Sequence, residues 1–168
     1  MNGTAQRRSA SPIRLALAAA SGDDLDGAWW PRTGSIGAEL AEFIDALRES
    51  LGQIIDIRVN WSSSDAMPDL NMLTRRGVAA IPGYMDRPQR IITMIGSQSR
   101  ANLLVVPNHT TPVLAMMVLR HAAALPIESR HHETPAYVAA GAIVRTARAQ
   151  CARRSGVAMA EPPGSPSS

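Results

Sequence analysis

The sequence predicts an α+β fold: a curved, mainly antiparallel sheet of about five strands packed against one amphipathic helix, with additional helices toward the C-terminus. Three observations predict it. Ile36, Leu40, Phe43, Ile44, Leu47 and Leu51 recur at helical spacing. Ile54 to Val59 alternates in the manner of a strand, and the apolar runs from Leu70 to Val106 are too close together for parallel crossovers. A dinucleotide-binding architecture is disfavoured because the glycine-rich strand-to-helix fingerprint is missing.

The chain of 168 residues reads as a basic flexible tail over 1–12, a single domain over 13–155 and a flexible Pro/Ser-rich tail over 156–168. The first residues lack the apolar core of a signal peptide, so a cytoplasmic location is expected. Ile13 to Ala20 is apolar enough to enter a sheet, whereas Arg14 and the alanines make it unsuited to a membrane span. Ser21 to Asp24 supplies a turn.

The segment Leu25-Asp26-Gly27-Ala28-Trp29-Trp30-Pro31-Arg32 follows. Adjacent side chains of an extended segment point to opposite faces, so one Trp should anchor the core while the other covers a different surface. Pro31 favours an extended Trp30, Gly27 permits a turn or a close approach, and Asp26 is placed to pair with Arg32 across the bend.

Ser35 is the expected N-cap of a helix over Ile36–Leu51, and Gly52 its terminator. Leu40, Phe43 and Leu47 should cover the sheet while Glu39, Glu42 and Asp45 face water. In the strand Ile54–Val59, Ile55, Ile57 and Val59 share one face. Trp61 opens a polar loop and should turn back toward Trp29 or Trp30. Leu70–Leu73 reads as a short strand, Arg75-Arg76-Gly77 as a turn and Val78–Ile81 as the return, interrupted by Pro82-Gly83. Arg90–Ile95 and Ala101–Val106 are further strands around a Gly96–Ser99 turn. Thr111-Pro112 should start a helix over Val113–Ala124, with Leu114, Met117, Val118 and Leu125 buried and the methionines filling packing gaps. Thr134-Pro135 should start a last helix ending near Gln150.

The chemistry-bearing residues are sparse. Cys151 is the single cysteine, which excludes an internal disulfide, and nothing in the sequence activates it as a nucleophile. The four histidines, His109, His121, His131 and His132, follow neither the HExxH spacing nor a Cys/His zinc pattern; no metal and no cofactor are expected. Scattered Ser, His and Asp residues define no catalytic triad.

The leading function is therefore a non-catalytic ligand-binding or protein-interaction module with an unidentified protein or small ligand as partner. Trp29, Trp30, Arg32 and Trp61 are its candidate pocket, with aromatic walls and a cationic orienting group. An enzyme using Asp26 as acid/base and Arg32 to position an anion is the first alternative. The second is a weak, nonspecific nucleic-acid binder contacting phosphates through Arg145, Arg148, Arg153 and Arg154, helped by Arg7 and Arg8. A formal charge of +3 permits only weak attraction to polyanions. The later helices are free to cover a sheet edge or to meet a second subunit in a homo-oligomer.

Leu25 to Arg32, with Glu39-Leu40 at the start of the acidic helix, resembles a family of small actinobacterial proteins of unknown function that share an L-D-G-A-W-W-P-R core. Ser35 stands where that family commonly has a carboxylate cap, and Pro82-Gly83-Tyr84 where it has G-G-F. The similarity continues through Asn60-Trp61, Arg75-Arg76-Gly77 and Val105-Val106-Pro107, covering residues 13 to 125. The resemblance implies the α+β core and supplies no catalytic residue or cofactor.

Overall fold

The computed structural model describes residues 13–19, 24–62, 64–77 and 88–160, the last seven of these by backbone alone. Its elements are β1 (Leu15–Leu17), β2 (Gly27–Trp29), α1 (Ile36–Leu51), β3 (Ile54–Val59), α2 (Asn71–Arg76), β4 (Ile91–Gly96), β5 (Arg100–Val105), α3 (Pro112–Ala122), a 3-10 turn (Ser129–His131) and α4 (Pro135–Ala160). The five strands form one sheet in the order β1-β2-β5-β4-β3. β4 and β5 make the expected antiparallel hairpin, β3 pairs antiparallel with β4 directly, and β1 pairs antiparallel with β2. The remaining contact, β2 with β5, is parallel, which the long intervening chain through α1 to β4 allows.

Both faces of the sheet are covered, and alternation along the strands decides which residue goes where. Trp29, Leu103 and Val105 join Phe43, Leu47 and Leu51 of α1 on one side. Trp30, Leu104 and Val106 join Leu114 and Val118 of α3 and Ile143 of α4 on the other. Burial on both sides explains why β4 and β5 read as near-continuous apolar runs.

α1 has the predicted bounds, with Phe43 and Leu47 fully buried, but its N-terminus is held differently. Ser35 makes no side-chain capping bond. Glu39, expected to face water, is buried, and its carboxylate accepts the Arg32 N–H at 2.8 Å, the Thr33 N–H at 2.7 Å and the Thr33 hydroxyl at 2.7 Å. Burial pushes this carboxyl up, yet the hydrogen bonds from Arg32 and Thr33 outweigh it and hold the pKa below the ordinary glutamate range. Gly52 ends the helix as predicted, at φ +83°, donating its N–H to the Arg48 carbonyl at 2.9 Å.

β3 departs from strict alternation. A bulge leaves Ile55 as the extra residue between Ile54 and Asp56, so Ile54 and Ile57 pack under α1 while Ile55 turns outward, 68% exposed.

The predicted strand Leu70–Leu73 is instead the entry to the short helix α2. Leu70 and Leu73 are both buried at a spacing of three, and the Asp69 carboxylate accepts the Asn71 N–H at 3.1 Å. Arg75-Arg76-Gly77 is accordingly the end of a helix, with Gly77 at φ +85°. The predicted return Val78–Ile81 and the Pro82-Gly83 break lie outside the described residues, as do 1–12 and 161–168.

Pro112 starts α3 at its first turn, although Thr111 makes no side-chain capping bond. Leu125, expected in the core, is 43% exposed because the chain turns away at Ala124, φ +58°. α4 runs ten residues past the predicted end at Gln150, through the first part of the predicted tail.

Gly27 lies against β1 so closely that a Cβ there would overlap the Ala16 carbonyl oxygen, whereas Gly37, inside α1, has nothing within 4 Å. Gly27→Ala should lower the unfolding free energy in urea by roughly 1–3 kcal/mol through forced strand separation. Gly37→Ala should raise it by about 0.5–1 kcal/mol.

Glu39→Gln should cost roughly 1–2 kcal/mol at neutral pH, because one amide carbonyl replaces two accepting oxygens. A depressed folded-state pKa stabilises fully above the unfolded value, about 4.3, and loses that contribution as pH falls through the folded value. Denaturation at a series of pH values should show the wild-type advantage shrinking on acidification, and a constant difference would refute the linkage.

Candidate functional site

The Trp motif is built into the sheet. The Trp29 ring stacks on Phe43, centroids 3.9 Å apart and planes 8° from parallel. Trp30, on the other face, lies under the Arg14 guanidinium at 3.7 Å and donates its indole N–H to the Asn108 carbonyl at 3.4 Å. Arg14 also donates to the carbonyls of Trp30 at 3.1 Å and Pro31 at 2.9 Å, which ties β1 to the end of the motif. Burial, then the charge of Arg32, lowers the Arg14 pKa, with Glu39 opposing them.

Asp26 and Arg32, expected to pair across the bend, are committed to different partners. Asp26 is buried, and its Oδ2 accepts the Asn102 N–H at 2.9 Å while its own N–H donates to the Asn102 carbonyl at 2.8 Å. The carboxylate thus extends the parallel β2–β5 ladder by one bond. Asn102 in turn accepts the Thr93 hydroxyl at 2.7 Å and donates to the Asp24 carbonyl at 3.1 Å. Arg32 donates to Glu42 at 2.7 Å, a contact that raises its pKa.

Trp61 is half-buried against the α1-side cluster that contains Trp29, with the Arg90 guanidinium 5.0 Å from its ring. Arg90 donates to the Asp65 carbonyl at 3.0 Å. Burial lowers its pKa and the Asp65 charge opposes that shift. The sheet therefore separates the aromatic walls expected to share one pocket: Trp29 and Trp61 on one side, Trp30 on the other. The cleft beside the motif, lined by Pro31, Thr33, Met67, Arg90 and Asn108, encloses about 10 Å³, room for roughly one water.

The basic residues of α4 also have separate surroundings. Arg148 donates to the His121 carbonyl at 3.0 Å and the Ala122 carbonyl at 3.5 Å, capping α3. Arg145 and Arg153 are exposed, while the side chain of Arg154 and residues Arg7 and Arg8 lie outside the described residues.

The histidines are dispersed. His109 sits 3.9 Å from Asp69, and His131 3.6 Å from Glu128. His121 and His132 flank Tyr137, with centroids 4.8 Å and 4.5 Å from its ring. Burial, then Arg145, Arg148 and His132, pushes the His121 pKa down. Among the described residues no three His, Cys, Asp or Glu side chains come together as a metal site, and Cys151 is buried.

The feature that sequence reasoning missed is the outer face of α3. Val113 is 63% exposed and Met116 46% exposed, while their neighbours Leu114, Met117 and Val118 are buried. Between this ridge and the segment 126–131 lies a cavity of about 690 Å³, walled by Pro112, Met116, Met117, Pro126 and Ile127 and rimmed by Arg120, Glu128 and His131. A second cleft of about 300 Å³ lies between the ridge and Ile13, Leu15 and Ala16 of the β1 segment. Met116 and Arg120 line both. Arg120 donates to the Pro126 carbonyl at 3.1 Å, which fixes the far wall. The sequence signal was present: Val113 and Met116, three apart, add apolar surface outside the stripe that Leu114 and Val118 bury.

No helix among the described residues is long and apolar enough to cross a membrane. No curated protein and no solved structure matches the chain. The model of a family of unknown function, DUF5994, matches residues 13–122, from the entry to β1 through the last residue of α3. The chain therefore belongs to that family of unknown function, DUF5994.

Proposed function

We propose that the protein is a non-catalytic interaction module whose α3 ridge and flanking clefts receive an apolar segment of a partner protein. The carrying observation is the exposure of Val113 and Met116 beside a cavity of about 690 Å³ on a helix whose opposite face is fully packed. That volume lies within the usual range of ligand sites. The second cleft on the far side of Met116 makes the surface long, which suits a polypeptide straddling the ridge better than one compact small molecule. Arg120, which lines both clefts, and Glu128 on the rim supply charge of both signs to orient it.

The buried Trp motif supports this surface from beneath by anchoring β1 and β2. The ties of Asp26 to Asn102 and of Arg148 to the α3 carbonyls leave the catalytic and phosphate-binding readings with less support.

Panning a displayed peptide library against the full chain, then titrating the enriched peptides, tests the proposal. The peptides should carry spaced apolar anchors, and Met116→Glu should weaken them by at least roughly tenfold, about 1.4 kcal/mol. Because Met116 is exposed, the variant should keep the circular dichroism and melting behaviour of the wild type. Equal binding by a folded Met116→Glu protein, or binding that depends on Arg153 instead, would defeat this assignment.

A further inference from the structure

β3 is an edge of the sheet, paired on one side with β4 and on the other with no strand among the described residues. Its sequence Ile55-Asp56-Ile57-Arg58-Val59 is complementary to itself when reversed about Ile57. Reversal sets Asp56 against Arg58 and Ile55 against Val59. The backbone is in phase with that symmetry. Asn60 donates to the Ile91 carbonyl of the β4 segment at 3.3 Å, so by the alternation of an antiparallel ladder Ile57 directs its N–H away from β4. That N–H is accepted by the Asp56 side chain at 2.9 Å rather than by a strand.

From these observations we propose that two copies of this chain associate by antiparallel pairing of their β3 edges about a two-fold axis at Ile57, joining two sheets into one. At the axis the Ile57 N–H exchanges its bond to the Asp56 carboxylate for one to the partner's Ile57 carbonyl, and the reverse bond forms across the axis. Asp56, now paired with Arg58 of its own chain at 2.9 Å, faces the partner's Arg58 as well, and the arrangement repeats across the axis. Ile55, 68% exposed, and Val59, 46% exposed, flank the axis at the two ends of the paired segment and lose solvent exposure on association. Ile55 sits at the bulge, on the edge of the α1 layer. Beside it a cleft of about 390 Å³, lined by Ile44, Arg48, Gln53 and Ile55, takes the partner's Val59. A closed two-fold contact of this kind also removes an edge that would otherwise remain open to pairing.

Sedimentation velocity of the full chain over a concentration series tests the proposal, with circular dichroism to confirm folding of each variant. The wild type should form a concentration-dependent dimer. Asp56→Arg alone, or Arg58→Asp alone, places like charges opposite one another and should weaken the dimer by roughly tenfold. The double exchange, Asp56→Arg with Arg58→Asp, should restore it, because the two-fold pairs these two positions. Val59→Lys, at a solvent-facing position, provides an independent break should a charge reversal fail to fold. Met116→Glu on α3 should leave the dimer intact. A wild type that stays monomeric up to about 100 µM, a dimer untouched by the folded variants, or a folded double exchange that fails to restore it would overturn the proposal.

Discussion

Two adjacent tryptophans on one extended strand cannot both enter the same core, and most of this architecture satisfies that constraint. Trp29 requires a helix on one face of the sheet, and α1 brings Phe43 to stack on it. Trp30 requires cover on the other face, and α3 and α4 provide it. β2 must then be an inner strand, since an edge position would leave one large ring poorly covered. β1 on one side and β5 on the other keep it there. Gly27 lets β1 come close enough, and Arg14 closes the junction by lying on the Trp30 ring.

The parallel contact between β2 and β5 is where register needs help, because only three residue pairs define it. Asp26 lengthens the contact with a side-chain acceptor in place of a backbone carbonyl, and Asn102 passes the connection on to Thr93 of β4. Buried polar groups joined in this way are costly to leave unmade, so a slipped register is penalised more than the aligned one is rewarded. The same economy of polar groups appears at α1, where Glu39 rather than the expected Ser35 secures the entering chain.

Local pattern made much of the fold legible. The bounds of α1, the strands β3, β4 and β5, the proline start of α3 and the opposite facing of Trp29 and Trp30 all follow from spacing and from the fixed geometry of helices and strands. What stayed hidden depends on contacts between distant segments. Leu70 and Leu73 suit a strand or a helix equally until the surrounding core chooses, and the β2–β5 pairing joins residues more than seventy positions apart. The bulge at Ile55 changes no residue type. The candidate site was the least legible part. Its aromatic residues are conspicuous in the sequence because they are large, and being large Trp29 and Trp30 were buried and Trp61 half-buried. Val113 and Met116 look like ordinary core residues until the path of the chain beyond Ala124 leaves them uncovered.

Arg148 reaches from α4 to the last carbonyls of α3, and Ala139, Ala140, Ile143 and Ala147 of the same helix lie in the core shared with Trp30. The family match stops at residue 122, before α4 begins. In this chain, then, the family-matched segment and the packed core have different boundaries. The matched segment carries the sheet and the motif, but one wall of its interior comes from sequence outside it.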